Sequence, residues 1–162
     1  MPIVLARIDD RLIHGQITVA WSKISNPDVI AIVDDAVASN EIQRSALELA
    51  VPIGVELVVV GVSEGIKELA SNSPHAKRKI FLISPTPEDV LRLVEGGVEL
   101  KSVNVGQMGF KEGKKRISKT VSVEKEDIEA FRKLRSKGIV LEQRQLPGDK
   151  KIELENLLPE IK

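Results

Sequence analysis

The stretch Arg7-Ile8-Asp9-Asp10-Arg11-Leu12-Ile13-His14-Gly15-Gln16 gathers two arginines, two aspartates and a histidine. A neutral imidazole nitrogen is a nucleophile near neutral pH, provided the other ring nitrogen has a partner that fixes the tautomer. Asp9 or Asp10 is the candidate partner for His14. Arg7 and Arg11 are the candidates to neutralise phosphoryl oxygens, where each charge-assisted hydrogen bond contributes about 1.5–3 kcal/mol. A helix is expected to open near Gly15 and Gln16. Its free first-turn amides would face the same spot and add about 0.3–1 kcal/mol for a nearby anion. Phosphoryl transfer needs mostly positioning and charge stabilisation, which such a turn can supply without a metal. The plainer reading is a surface ion cluster in which the arginines balance the aspartates and His14 is a spectator.

Other candidates are sparser. Asp34 and Asp35 follow the second β-rich run and either border the same crevice or cap the next loop. Residues 106–118, including Gly106 and Gln107, hold three glycines without helical periodicity and read as a functional loop. That loop and its border carry Lys111, Lys114, Lys115, Arg116 and Lys119, the densest positive patch in the chain. His75 sits in a polar loop after Pro74 and reads as a surface histidine; Trp21 reads as core packing. No His/Asp/Glu set has metal-ligand spacing, so neither a metal nor a cofactor is expected.

The elements that must position these residues are legible from periodicity. Short, largely apolar β-branched runs occupy Ile3–Ile8, Val29–Val33, Glu56–Val60, Lys79–Ile83, Ser102–Val105, Lys119–Val123 and Ile139–Gln143. Such runs suit strands buried on both faces. Helices are expected at about 15–24, 40–50, 64–71, 87–95 and 124–137, with a short one near 152–158. Thr86 can cap the fourth, Pro87 opens it, Glu88 and Asp89 suit its positive end, and Gly96-Gly97 stops it. In the fifth, Ile128, Phe131 and Leu134 share one face, and Gly138 ends the helix. The alternation predicts a single α/β domain over residues 1–162. Its sheet is mainly parallel, with about seven strands and helices on both faces. In such sheets, sites form beyond the carboxyl ends of the strands, where the His14 turn falls.

Composition narrows the function. The chain has 162 residues, 24 basic and 24 acidic side chains and no net charge, so there is no global pull toward nucleic acid or an anionic membrane. Trp21, Phe81, Phe110 and Phe131 are its only aromatics, too few for the stacking platforms of single-strand binders. The absence of cysteine excludes disulfides, thiol nucleophiles and thiolate zinc sites. From Met1 to Arg7 there is no basic leader with a long apolar stretch, so no signal peptide is expected. The strongest apolar run, Val55 to Val62, falls far short of the roughly 20 residues that span a bilayer.

The whole pattern resembles the IIB subunits of the mannose/fructose/sorbose family of sugar phosphotransferase systems. The likeness rests first on Arg7 to Gln16. It continues through Val33-Asp34-Asp35-Ala36, Leu93-Val94-Glu95-Gly96-Gly97-Val98, Asn104-Val105-Gly106-Gln107-Met108, Gly138-Ile139-Val140-Leu141-Glu142 and Pro147. Family members often read Asn-Val-Gly-Gly-Met; this chain has Gln107, which tolerates a positive φ less well than glycine. The resemblance implies a phosphohistidine enzyme. His14, by analogy through Nδ1, would accept a phosphoryl group from a IIA domain and pass it to a sugar held by membrane IIC and IID subunits. It further implies a cytoplasmic protein peripherally associated with the permease, and leaves a homodimer open. Other IIB classes phosphorylate a cysteine, which this chain lacks.

Three rival readings remain at this level. A histidine phosphatase also places a nucleophilic histidine after its first strand. That class reads Arg-His-Gly and needs a second catalytic histidine, for which only His75 is available. A nucleic-acid-binding module would use the basic run near residue 115, against the charge balance and the scarcity of aromatics. A IIB-like subunit retained for regulation is the third.

Overall fold

The computed structural model describes residues 3–162; the leader reading at Met1 and Pro2 lies outside them. Five parallel α/β strands follow in order: β1 (Ile3–Asp9), β2 (Val29–Val33), β3 (Glu56–Val60), β4 (Ile80–Ser84) and β5 (Ser102–Gln107). Between them run helices α1 (Gly15–Ser25), α2 (Asp35–Ala38), α3 (Glu41–Ala50), α4 (Val62–Glu68) and α5 (Pro87–Glu95). After β5 come β6 (Lys115–Arg116), β7 (Ser122–Val123), α6 (Lys125–Ser136), β8 (Val140–Gln143), β9 (Ile152–Glu153) and α7 (Leu154–Leu157), then a 3-10 turn over Pro159–Ile161.

The main sheet has seven strands in the order β3-β2-β4-β1-β5-β8-β9. Every pairing in it is parallel except β8 with β9. β1 lies at its centre. Alternation along β2 shows why both faces need covering: Ile30 and Ile32 join one apolar cluster, and Val29, Ala31 and Val33 join another. The first cluster holds Leu12, Ile13 and Trp21 beside the α1 junction, with Leu47 from α3. The second takes Val90 and Leu93 from α5 and Phe131 and Leu134 from α6. The expected α/β fold, parallel sheet and two helical layers are therefore present.

Helix ends follow the sequence signals. The Thr86 hydroxyl oxygen accepts from the Asp89 amide, with Pro87 in the first turn. Glu124 and Asp127 form a capping box on α6, and Gly138 beyond it takes φ +84°, a conformation that costs glycine no Cβ clash.

Three expectations need correction. The run Lys119–Val123 does not join the main sheet; Ser122–Val123 instead pairs antiparallel with Lys115–Arg116 in a small separate ribbon. The Ser118 hydroxyl accepts from the amides of Thr120 and Val121 and turns the chain there. The seventh strand is β9, within the span expected as helix 152–158, because Ile152 and Glu153 pair with β8 and leave only Leu154–Leu157 helical. The expected loop 106–118 is interrupted: β5 takes its first two residues and β6 takes Lys115 and Arg116, while the stretch between them is irregular apart from a bridge at Met108. Gly106 and Gln107 belong to β5, and Gln107 is extended, since among the described non-glycine residues only Leu12 and Asn26 take positive φ. Helix α2 was not legible: four residues carry no periodicity.

Candidate functional site

β1 ends at Asp9, and the chain reverses into α1 within a few residues. The Leu12 amide donates to the Asp9 carbonyl (3.0 Å), and the Asp10 amide donates to the carbonyl of Gln107 at the end of β5 (3.1 Å). Leu12 takes φ +64°, a left-handed conformation that costs a non-glycine residue about 1–3 kcal/mol. Burial of Leu12 and Ile13 in the α1-side cluster offsets that strain.

Beyond them His14 is the N-cap residue of α1 and stays exposed. Its backbone amide donates to the Thr18 hydroxyl (2.7 Å), and its carbonyl accepts from the amides of Ile17 and Thr18. The imidazole makes no cap bond. Among the described residues, the amides of the exposed Gly15 and Gln16 have no carbonyl partner. Imidazole and free amides thus share one helix start, as expected from sequence.

Asp9 is the hub of the cluster. Its carboxylate, 1% exposed, takes an ion pair from Arg7 (3.1 Å) and a two-pronged one from Arg11, Nε at 3.2 Å and Nη2 at 3.1 Å. The Arg11 backbone amide adds a further bond at 2.9 Å. Asp10 instead accepts from the Gly109 amide. Among the described residues, neither aspartate bonds the His14 ring, so the expected orienting contact is not made in this structure. Asp9 is spent on guanidinium groups, and Asp10 pins the segment after β5.

The two arginines have unlike roles. Arg7 is 2% exposed and donates to Asn104 Oδ1, Asp9 and the carbonyls of Arg144 and Gln145. Burial pulls its guanidinium below the usual arginine pKa, against the pull of Asp9. Both of its terminal nitrogens are engaged and the side chain is buried, so it does not present itself to a phosphoryl oxygen as directly as expected. Gly106 lies against it: a Cβ there would come within 2.2 Å of the guanidinium carbon. Arg11 is 26% exposed and keeps Nη1 uncommitted among the described residues, so Arg11 is the direct candidate.

Several further contacts were not legible. Trp21 is buried, as expected, but the guanidinium carbons of Arg7 and Arg144 each lie 5.1 Å from its ring centroid, and its Nε1 donates to Gln145 O (2.9 Å). Asn104 also donates to Glu142, which pairs with Arg144. Only spatial pairing across β5 and β8 brings these together.

The other candidates fall outside the cluster. Asp34 caps α2 through the Val37 amide, while Asp35 accepts from the Val62 amide and pairs with Arg92. Both have structural duties, which is the capping alternative. Gln107 contributes its carbonyl, as described. His75 is not a plain surface group: Nε2 lies 2.9 Å from Glu68 and Nδ1 is buried. It precedes β4, on the edge opposite His14. Of the basic run, Lys115 pairs with Glu160, Lys114 lies 3.9 Å from Asp127, and Arg116 stands over Phe110. A groove of about 490 Å³ lies between α5 and α6, lined by residues such as Glu88 and Lys133, and touches no residue of the His14 turn.

The model of the PTS system sorbose subfamily IIB component matches residues 3–162. The chain belongs to that family. It is 44% identical over 161 residues to the mannose-specific EIIAB component of Escherichia coli, covering 99% of this chain and 50% of that protein. It therefore spans about half the length of the mannose-specific relatives it matches. It is 42% identical to the sorbose-specific EIIB component of Lacticaseibacillus casei, covering 92% of this chain and 90% of the relative. The crystal structure of the IIBSor domain of the sorbose permease from Klebsiella pneumoniae superposes with a TM-score of 0.93 at 37% identity, over 99% of this chain and 98% of the other. The mostly parallel sheet of this chain matches the fold of that solved IIBSor domain. Among the described residues, no helix is long and apolar enough to cross a membrane.

Proposed function

We propose that the chain, read as one functional unit over residues 1–162, is a phosphohistidine carrier. His14 takes a phosphoryl group from a phosphohistidine on a IIA partner and delivers it to a sugar held by membrane IIC and IID subunits. In the first step the donor P–N bond breaks as a new P–N bond forms on the imidazole. The Nη1 edge of Arg11 and the open amides of Gly15 and Gln16 stabilise the transferring oxygens, and Arg7 and Asp9 hold Arg11 in place. The work takes place on the cytoplasmic face of the permease.

The observation that carries this reading is an exposed imidazole at a helix start with two free amides, next to an arginine locked by a buried carboxylate. A histidine that must meet two protein partners belongs in the open rather than in a cleft. Family membership supports the reading. Its test is incubation with phosphoenolpyruvate, the general phosphotransferase proteins and a cognate IIA. An acid-labile, base-stable phosphate should appear, vanish in His14→Ala and persist in His75→Ala; labelling that survives His14→Ala overturns it.

A further inference from the structure

We propose that Trp21 is a positioning residue for phosphoryl transfer, acting on Arg11 through Arg7 and Asp9; this rests on the function proposed above. The chain of contacts is continuous. The indole ring faces the Arg7 guanidinium, whose carbon stands 5.1 Å from its centroid. Indole Nε1 and Arg7 Nη2 both donate to one carbonyl, that of Gln145, at 2.9 and 3.1 Å. The other Arg7 nitrogen donates to the preceding carbonyl, Arg144 O, at 3.1 Å. Arg7 then grips one oxygen of Asp9, and the carboxylate takes both prongs of Arg11.

A buried guanidinium makes bidentate contacts only where its plane is fixed. Here the ring supplies a face and the two carbonyls supply an edge. Loss of the indole frees Arg7 to tilt, and Asp9 tilts with it. Arg11 then loses the geometry that presents Nη1. A merely structural tryptophan would fill volume without coupling to Arg11. The placement argues for more, because the one polar atom of the side chain addresses the carbonyl that also seats Arg7.

The test uses a readout that needs no phosphoryl donor. In ¹⁵N NMR of the wild type, the Arg11 Nε–H, held by Asp9, should exchange slowly with solvent. In Trp21→Leu its exchange should speed up about tenfold or more, while the backbone amide spectrum stays dispersed. Single-turnover labelling of His14 should slow about tenfold, with the KM for phosphorylated IIA within about twofold. In an Arg11→Lys background the same substitution should cost little more, since residues acting through one another are non-additive. Trp21→Phe keeps an aromatic face but loses the donor, so both effects should be intermediate; it carries the test if the leucine variant fails to fold. Unchanged Arg11 exchange in the folded variants, or fully additive rate losses, overturns the proposal. A wild type that takes no label fails the proposed function instead, and the Nε–H measurement separates the two outcomes.

Discussion

The carboxyl of Asp89, in the first turn of α5, is buried beside the carboxyl of Asp34, the cap of α2. Two carboxylates cannot both ionise at that separation without mutual repulsion. Burial and Asp34 push Asp89 up to about 8, against smaller opposing pulls from Thr86 and Arg92. Nearby on α5, burial and Asp127 push Glu88 up to about 7. The folded protein therefore holds protons that the unfolded chain releases at ordinary carboxylate pKa values. This stabilisation is full below pH 4 or so and is lost as pH rises toward about 8 for Asp89 and about 7 for Glu88, at up to about 1.4 kcal/mol per pH unit for each group.

Asp89→Asn tests that sign. The amide donates to Asp34 without taking up a proton, so the variant should gain thermal stability at pH 8 relative to wild type and lose part of the pH dependence. Melting temperatures at pH 5 and pH 8 suffice; an equal pH slope in both proteins would show that the pair does not share a proton.

Asp9→Asn should both destabilise the protein and slow labelling of His14. It leaves the buried Arg7 without its charge partner, a loss of about 3–5 kcal/mol, and releases Arg11. The burial of Asp9 between two arginines makes the fold depend on it as well as the chemistry. Arg11→Lys should keep the fold and slow transfer, because an ammonium cannot reproduce the two-pronged grip on Asp9. Chemical denaturation combined with single-turnover labelling separates these variants.

Gly106→Ala should cost about 1–3 kcal/mol by overpacking. The added methyl meets the Arg7 guanidinium, which four hydrogen-bond acceptors hold in place. A change at a position with no side chain of its own should therefore slow phosphoryl transfer, and equal transfer rates in alanine variant and wild type would refute the link.

The positive ribbon after β5 leaves the same sheet edge as His14, with Asp10 and Gly109 tying the two together. A partner delivering a phosphoryl group presents negative charge where it docks. Charge steering of that kind raises on-rates by about 10–10³-fold at low salt. Reversal of Lys114, Lys115 and Arg116 to glutamate should slow second-order transfer from phosphorylated IIA and flatten its salt dependence, while transfer within the bound pair stays similar. Since Lys115 pairs with Glu160 and Lys114 lies near Asp127, thermal unfolding of the variant must be measured alongside. Salt dependence equal to wild type removes any docking role.

Much of the fold was legible because long apolar runs and helix caps are local signals: β2 and β3 fall on the residues read from sequence, and Thr86, Pro87 and Gly138 mark ends as expected. Two-residue strands such as β7 and β9 have no period to read, so the seventh strand was assigned to the wrong segment. At the site, the cluster around His14 was visible because its members are adjacent in sequence. The division of labour between Arg7 and Arg11 was not, because it depends on Asn104, Gln145 and Trp21, which only the pairing of β1 with β5, of β5 with β8 and the packing of α1 bring near. Gly106 carried a signal that could have been used: a glycine inside a buried strand often marks close approach by another group.

Leu12 and Ile13 are driven into the core immediately before His14, so the turn that carries the imidazole is nailed down from below. Only the ring itself has room to swing, and exposed side-chain rotations take picoseconds to nanoseconds. A single small ring cannot touch a giver and a receiver at the same moment. On the proposed function, then, one visitor must leave before the next arrives, and the handover asks for a turn of the ring rather than any flexing of the backbone beneath it.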